Sequence, residues 1–189
     1  FPGKFNDRAK VYYERFGKEK TRMAMAKWFV NAVENARLCP TAQEYQNTAK
    51  DLNALGMMEP NGRSFLDSIN VFDCSKVSDG ASAIAVVSED GLKRCGIPKE
   101  QAIEIIGFAQ AEEDITKAPD DYTVLSTTRA AVQKAFENAG ISKEQLATVE
   151  CHDCFSIAGI MATEAIGFAE HVKGPDFVLE GHTSRSGKI

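Results

Sequence analysis

The sequence predicts an α/β protein with a helical module ahead of a layered sheet. Three observations point there. From Ala81 onward the order reads strand, helix, strand, helix, strand, helix. Ala81–Val87 is a continuous apolar run, as expected of a strand covered on both faces. Roughly the first 65 residues show helical periodicity and no strand pattern.

Taken in order, Asn6 or Asp7 can cap a first helix through Ala9, Tyr12, Tyr13 and Phe16, which Gly17 ends. A longer helix starts near Lys18. Met23, Ala26, Trp28, Phe29, Ala32, Val33 and Ala36 give it a broad apolar face, with Met23, Met25 and Trp28 read as core, and Pro40 stops it. Thr41–Gly62 is polar and irregular, with one short helix around Thr48–Leu55 and a loop at Met57–Gly62. Val71–Cys74 reads as a short extended piece, followed by a turn of small residues, Ser75–Gly80. Glu89–Cys95 is a short helix ended by Gly96 and Pro98. Ala102–Ala111 is a second strand, and Glu112–Tyr122 an acidic surface loop. Thr127–Ala139 is an amphipathic helix stopped by Gly140, and Ser142 caps a short turn. A third strand then runs through Thr148–Cys154 into a small-residue helix, Ile157–Phe168.

Composition narrows the function classes. Hydrophobic content is 43%, charged content 26% and net charge −5. These values suit a globular protein and argue against a nucleic-acid binder, which needs clustered Lys and Arg. Basic residues do gather between Lys4 and Arg37, where they read as a solvated helix surface or a local patch for a small anion. No apolar run approaches the roughly 18 residues of a membrane span. The five cysteines, Cys39, Cys74, Cys95, Cys151 and Cys154, are scattered and odd in number. That fits reduced thiols in an intracellular compartment better than a disulfide framework. The chain opens on Phe1-Pro2-Gly3 and ends at Gly187-Lys188-Ile189, so both ends read as cut and a targeting segment as potentially missing.

The chemistry concentrates in Cys151-His152-Asp153-Cys154. Strand alternation puts His152 and Cys154 on one face and Cys151 and Asp153 on the other. An imidazole and a thiol then sit side by side where a strand meets a helix N-terminus, whose free N–H groups favour a thiolate or an oxyanion. Neutral imidazole can donate to a developing oxyanion, and a thiol with its pKa near neutral can move a proton. As purely structural residues, Cys151 would be buried, His152 satisfied and Asp153 a helix cap. That reading is favoured for Cys151 alone. A Cys-x-x-Cys redox pair or a zinc site must also be weighed. The leading Cys lies within the strand, so the sulfurs would diverge, and no second Cys-x-x-Cys or His-x-x-x-His supplies further ligands. His171 and His182 read as surface residues. Gly-x-Ser-x-Gly and Gly-x-Gly-x-x-Gly are absent.

His152-Asp153-Cys154-Phe155 resembles, letter for letter, the His-Asp-Cys-Phe motif of sterol-carrier-protein-type thiolases. Phe1-Pro2-Gly3-Lys4-Phe5 is similar to the opening of that family's loop-domain segment. Cys74–Ser82 is similar to the passage from loop domain into the last N-half strand, and Gly181–Ile189 to the stretch before the Gly-His-Pro motif. The resemblance implies a partial thiolase-like layered α/β fold. Residues 1–70 would be a helical loop-domain segment, 71–98 the last strand and helix of the N-terminal half, and 99–189 the first part of the C-terminal half.

The implied function is Claisen-type acyl transfer on acyl-CoA or 3-ketoacyl-CoA thioesters. By motif, His152 would be the oxyanion donor, Cys154 the acid/base thiol, Ser75 a coenzyme A contact and Phe155 a neighbour of the pantetheine. The resemblance implies no tightly bound cofactor and no metal, with a coenzyme A thioester as substrate. It also implies a homo-oligomer (dimer or tetramer), no nucleic acid, no stable membrane insertion, and a role in fatty-acid metabolism in peroxisome or mitochondrion. No segment matches the family's nucleophilic cysteine or its Gly-His-Pro histidine. These residues alone are therefore expected not to catalyse acyl transfer, and to form an incomplete sheet. A non-catalytic acyl-CoA-binding or assembly module on the same scaffold is the alternative.

Overall fold

The computed structural model describes residues 1–187. The last two residues of the Gly181–Ile189 stretch, Lys188 and Ile189, lie outside the described residues. Seven α-helices appear among the described residues: α1 (Pro2–Phe16), α2 (Lys18–Ala36), α3 (Leu52–Gly56), α4 (Glu89–Cys95), α5 (Ser126–Ala139), α6 (Ser156–Ile166) and α7 (Gly174–Leu179).

The first helix begins earlier than the Asn6/Asp7 capping signal implies. Pro2 supplies its first turn, where the missing N–H costs nothing. Gly17, at φ 90°, makes the sharp corner between α1 and α2. α2 ends at Ala36, four residues before Pro40, and its last carbonyls are taken up by turns at Arg37 and Leu38. Met23 is exposed rather than core, while Met25 is fully buried. The short helix after the irregular stretch is Leu52–Gly56, capped by Asp51, whose carboxylate accepts from the Ala54 N–H at 2.8 Å.

α6 organises the core. Every residue from Ser156 to Ala165 is buried, as expected of a helix that is apolar or small on all sides. Around it pack Ala9 and Tyr12 of α1, Ala24 and Met25 of α2, Ile69, and Val178 of α7. Its one carboxylate, Glu164, accepts from the Tyr12 hydroxyl (3.2 Å) and from the N–H groups of Val172 (2.8 Å) and Gly174 (2.8 Å). Burial holds the Glu164 pKa above the ordinary carboxylate value. Three hydrogen-bond donors thus accommodate a group that would otherwise be costly to bury.

The expected strands are corrected by the structure. No strand is present among the described residues. Residues 71–73 form a 3₁₀ turn instead of an extended piece, because Asn70 and Asp73 close a capping box around it. Residues 81–87 and 102–111 run without any ladder partner and expose their apolar side chains. Ile84 is 88% exposed, Ile103 97% and Phe108 80%. A strand is stabilised by a neighbour that satisfies its N–H and C=O groups, and neither stretch has one here. Residues 148–154 are likewise non-helical and unladdered up to an isolated antiparallel bridge between Phe155 and Cys74.

Candidate functional site

The bridge brings together two stretches that are 80 residues apart in sequence. Its register sets Ser75 opposite Cys154, and the Ser75 N–H donates to the Cys154 carbonyl at 2.9 Å. Cys74 and Cys154 are half-buried against the core, whereas Ser75 and His152 are exposed. Phe155 lies in the core, 6% exposed and stacked on Phe5 with ring centroids 4.4 Å apart. Of the four residues singled out by motif, the structure therefore sets Ser75 beside Cys154, leaves His152 exposed two residues upstream, and places Phe155 in the core; none of Ser75, His152 and Cys154 lines the crevice between α2 and α6.

On the chain's upstream side, the 70–75 segment is fixed by an ion pair. Arg22 of α2 reaches Asp73 through both Nη atoms, Nη1 to Oδ2 at 2.5 Å, with 3% and 0% of the two side chains exposed. Asp73 also accepts from the Asn70 N–H at 2.8 Å, and Asn70 donates to the carbonyls of Gly56 and Met58. The segment that presents Ser75 is thus tied to the helical module two residues before it.

The neighbouring side chains take the other direction. Cys151 and Asp153 line a crevice of about 380 Å³ between α2 and α6, together with Trp28, Asn31, Gly159 and Thr183. His152 and Cys154 lie outside it. This agrees with alternation along 151–154, but the crevice belongs to Cys151 and Asp153, not to the pair expected to do chemistry. Nor does Asp153 cap α6, whose N-cap is Phe155. It accepts instead from the Trp28 indole N–H at 2.7 Å. Sequence reasoning placed Trp28 in the core and missed this bond. The signal was available: a half-buried indole N–H requires an acceptor.

Three of the thiols are pushed above the ordinary thiol value. Burial, reinforced by Asp153, pushes Cys154 above its ordinary value, which corrects the expectation of a near-neutral thiol. Burial, then Asp153 and Glu150, pushes Cys151 up to about 11. Burial, then Asp73 and Cys154, pushes Cys74 up to about 11. All five cysteines are free. Among the described residues no three His, Cys, Asp or Glu side chains come together as metal ligands. Nor is any helix there long and apolar enough to cross a membrane. His171 and His182 make local contacts, to the Thr123 hydroxyl (3.0 Å) and the Glu180 carboxylate (3.0 Å).

Residues 107–189 match the family described as Thiolase C-terminal domain-like. The chain is similar to thiolases in this part. It is 26% identical to sterol carrier protein 2 of Oryctolagus cuniculus over 99% of its own length and 33% of that protein's. It is 29% identical to acetyl-CoA acetyltransferase of Methanothermobacter thermautotrophicus over its full length and 47% of the relative's. It is 30% identical to benzoylsuccinyl-CoA thiolase subunit BbsB of Thauera aromatica, over 68% of this chain and 33% of that one. The chain thus spans between a third and a half of these relatives. A solved structure described as the Ltp2-ChsH2(DUF35) aldolase superposes with a TM-score of 0.81 at 19% identity, over 97% of this chain and 47% of that one. The chain shares the fold of that structure, and the family match over residues 107–189 is to a thiolase-like domain, although no sheet ladder is formed among the described residues.

Proposed function

We propose that this chain supplies the His-Asp-Cys-Phe part of a thiolase-type acyl-transfer site, and that the attacking thiolate and a second histidine come from polypeptide outside these residues. The observation that carries the reading is the Cys74–Phe155 bridge, which seats Ser75 opposite Cys154 at an open face beside His152. In the proposed step His152 donates an N–H to the thioester oxygen of an acyl-CoA, as charge develops there. Cys154 delivers a proton to the α-carbon in cleavage as the thiol and removes one in condensation as the thiolate. Ser75 borders the pantetheine arm, and Phe155, buried against Phe5, supports the segment from beneath instead of touching the arm. The names of the relatives, an acetyl-CoA acetyltransferase and a CoA thiolase subunit, support the substrate class. Residues 1–70, 71–98 and 99–189 remain the proposed loop-domain, N-half and C-half segments. The unladdered stretches 81–87 and 102–111 would join the sheet layers of the complete fold. A homo-oligomer in peroxisome or mitochondrion completes the proposal by resemblance.

Two measurements test it on the 189-residue chain. Acetoacetyl-CoA with free coenzyme A is expected to show no thiolysis, and turnover would overturn the placement of the nucleophile outside the chain. Saturating acetoacetyl-CoA is expected to slow iodoacetamide labelling of Cys154 while Cys95 reacts as before. Equal labelling with and without the thioester would overturn the substrate assignment.

A second reading is an acyl-CoA-binding or assembly module without acyl transfer. The exposed apolar side chains of Ile84, Ile103 and Phe108 favour it, as does the fold shared with a two-component aldolase. A nucleophilic cysteine upstream in a longer chain would decide for the first reading.

A further inference from the structure

Cys154 is held between two residues whose side chains are each fixed by a different part of the fold. On one side Phe155 is bridged to Cys74 and stacked on Phe5. On the other, Asp153 receives the Trp28 indole N–H at 2.7 Å. Trp28 itself has little freedom, because its ring lies directly against the backbone of α6 at Gly159. A Cβ added to Gly159 would stand 2.1 Å from Trp28 Cε2. The indole therefore touches both sides of the bend at which 148–154 enters α6.

We propose that Trp28 is a positioning residue for the His152–Cys154 pair. Wedged on Gly159, it pins Asp153 into the crevice and so keeps the flanking side chains out of it. A charge-assisted hydrogen bond is the right instrument for this, being short, directional and about twice as strong as a neutral one. What the positioning serves rests on the acyl-transfer reading. The positioning itself does not.

The test uses the full 189-residue chain and no thioester, so its outcome is independent of that reading. Trp28→Phe keeps an aromatic ring near Gly159 and removes the N–H together with part of the indole's bulk, leaving every charge in place. Iodoacetamide labelling of Cys154 is measured against Cys95 of the same molecule by peptide mass spectrometry. W28F is expected to raise the Cys154 rate on the order of tenfold, the weight of one hydrogen bond to a charged group. In an Asp153→Ala background the same substitution should change nothing, and in Asp153→Asn, whose amide oxygen still accepts, its effect should return. An unchanged rate in W28F, or an equal effect of W28F with and without Asp153, overturns the proposal, since ring packing alone would give either result. Should W28F lose its helical circular dichroism, the emission of the chain's one tryptophan decides. D153A should shift it and D153N should not, and identical spectra in all three proteins would overturn the proposal.

Discussion

Asp73→Ala is expected to be the most destabilising single truncation near the Cys74–Phe155 bridge. It removes the partner of Arg22, whose side chain is only 3% exposed and cannot reach water without moving α2. Removing one member of a buried pair typically costs about 3–5 kcal/mol, because the other charge stays buried. The capping box on residues 71–73 goes with it, worth about 1 kcal/mol by itself and not independent of the pair. For a chain of this size, 3–5 kcal/mol corresponds to a Tm lower by roughly 6–20 °C. Urea unfolding followed by circular dichroism measures the change directly as a lower midpoint. Burial works against the Arg22 charge, yet the bonds from Asp73 more than offset it and hold the guanidinium pKa above its ordinary value. A raised basic pKa gives stability that is complete below the unfolded value and lost only as pH rises through the folded one. The deficit in D73A should therefore stay constant from neutral pH to the alkaline limit of the assay. Replacing both partners, Arg22→Met with Asp73→Leu, should recover much of the loss. A D73A deficit under about 1 kcal/mol, or a double variant no better than the single, would refute the account of this pair as an uncompensated-charge problem.

Two further outcomes follow from the titrating groups. Burial pushes the Asp121 carboxyl up, but bonds from the Thr123 hydroxyl and N–H and from Arg15 outweigh it and hold the pKa at about 2. A depressed acid stabilises above its unfolded value and ceases to as pH falls through the folded one. The Tm advantage of wild type over Asp121→Asn should thus be present at pH 7 and close between about pH 4 and pH 2. Thiol labelling at pH 8, read by mass spectrometry, should find Cys39 first, since the Thr41 hydroxyl lowers its pKa and it is exposed. Cys74 and Cys151, both at about 11, should label last.

How much of this was legible in the sequence differs by element, for physical reasons. Helices whose signals are local were readable to within a residue or two. Gly96 and Gly140 both sit in the left-handed conformation their positions demand, closing α4 and α5, and Ser88 caps α4 through the Gly91 N–H. The apolar runs at 81–87 and 102–111 read as strands, and the structure forms none there. A strand, however, is a relation between two segments, and its partner cannot be read from the run itself. The 71–73 turn was missed for the opposite reason. Two side chains, Asn70 and Asp73, close on each other's backbone and override the extended preference of Val71 and Phe72.

The site shows the same division. Alternation alone separated His152 and Cys154 from Cys151 and Asp153, and the crevice lining follows that split. The register that puts Ser75 opposite Cys154 was invisible to alternation, because it is set by contacts between distant segments: Arg22 with Asp73, Phe5 with Phe155, Trp28 with Asp153. Each of those contacts joins the helical module of the first 36 residues to one of the two stretches that meet at the bridge. That module therefore does more than flank the site. Its three side chains, one on α1 and two on α2, fix the two stretches relative to each other from outside. A sheet partner would normally do that work through a ladder of backbone bonds, whereas here a single Ser75–Cys154 bond and one bridge are held in register by side chains alone. It follows that the geometry of the bridge should be more sensitive to substitutions at Phe5, Arg22 and Trp28 than to changes in the exposed stretches 81–87 and 102–111.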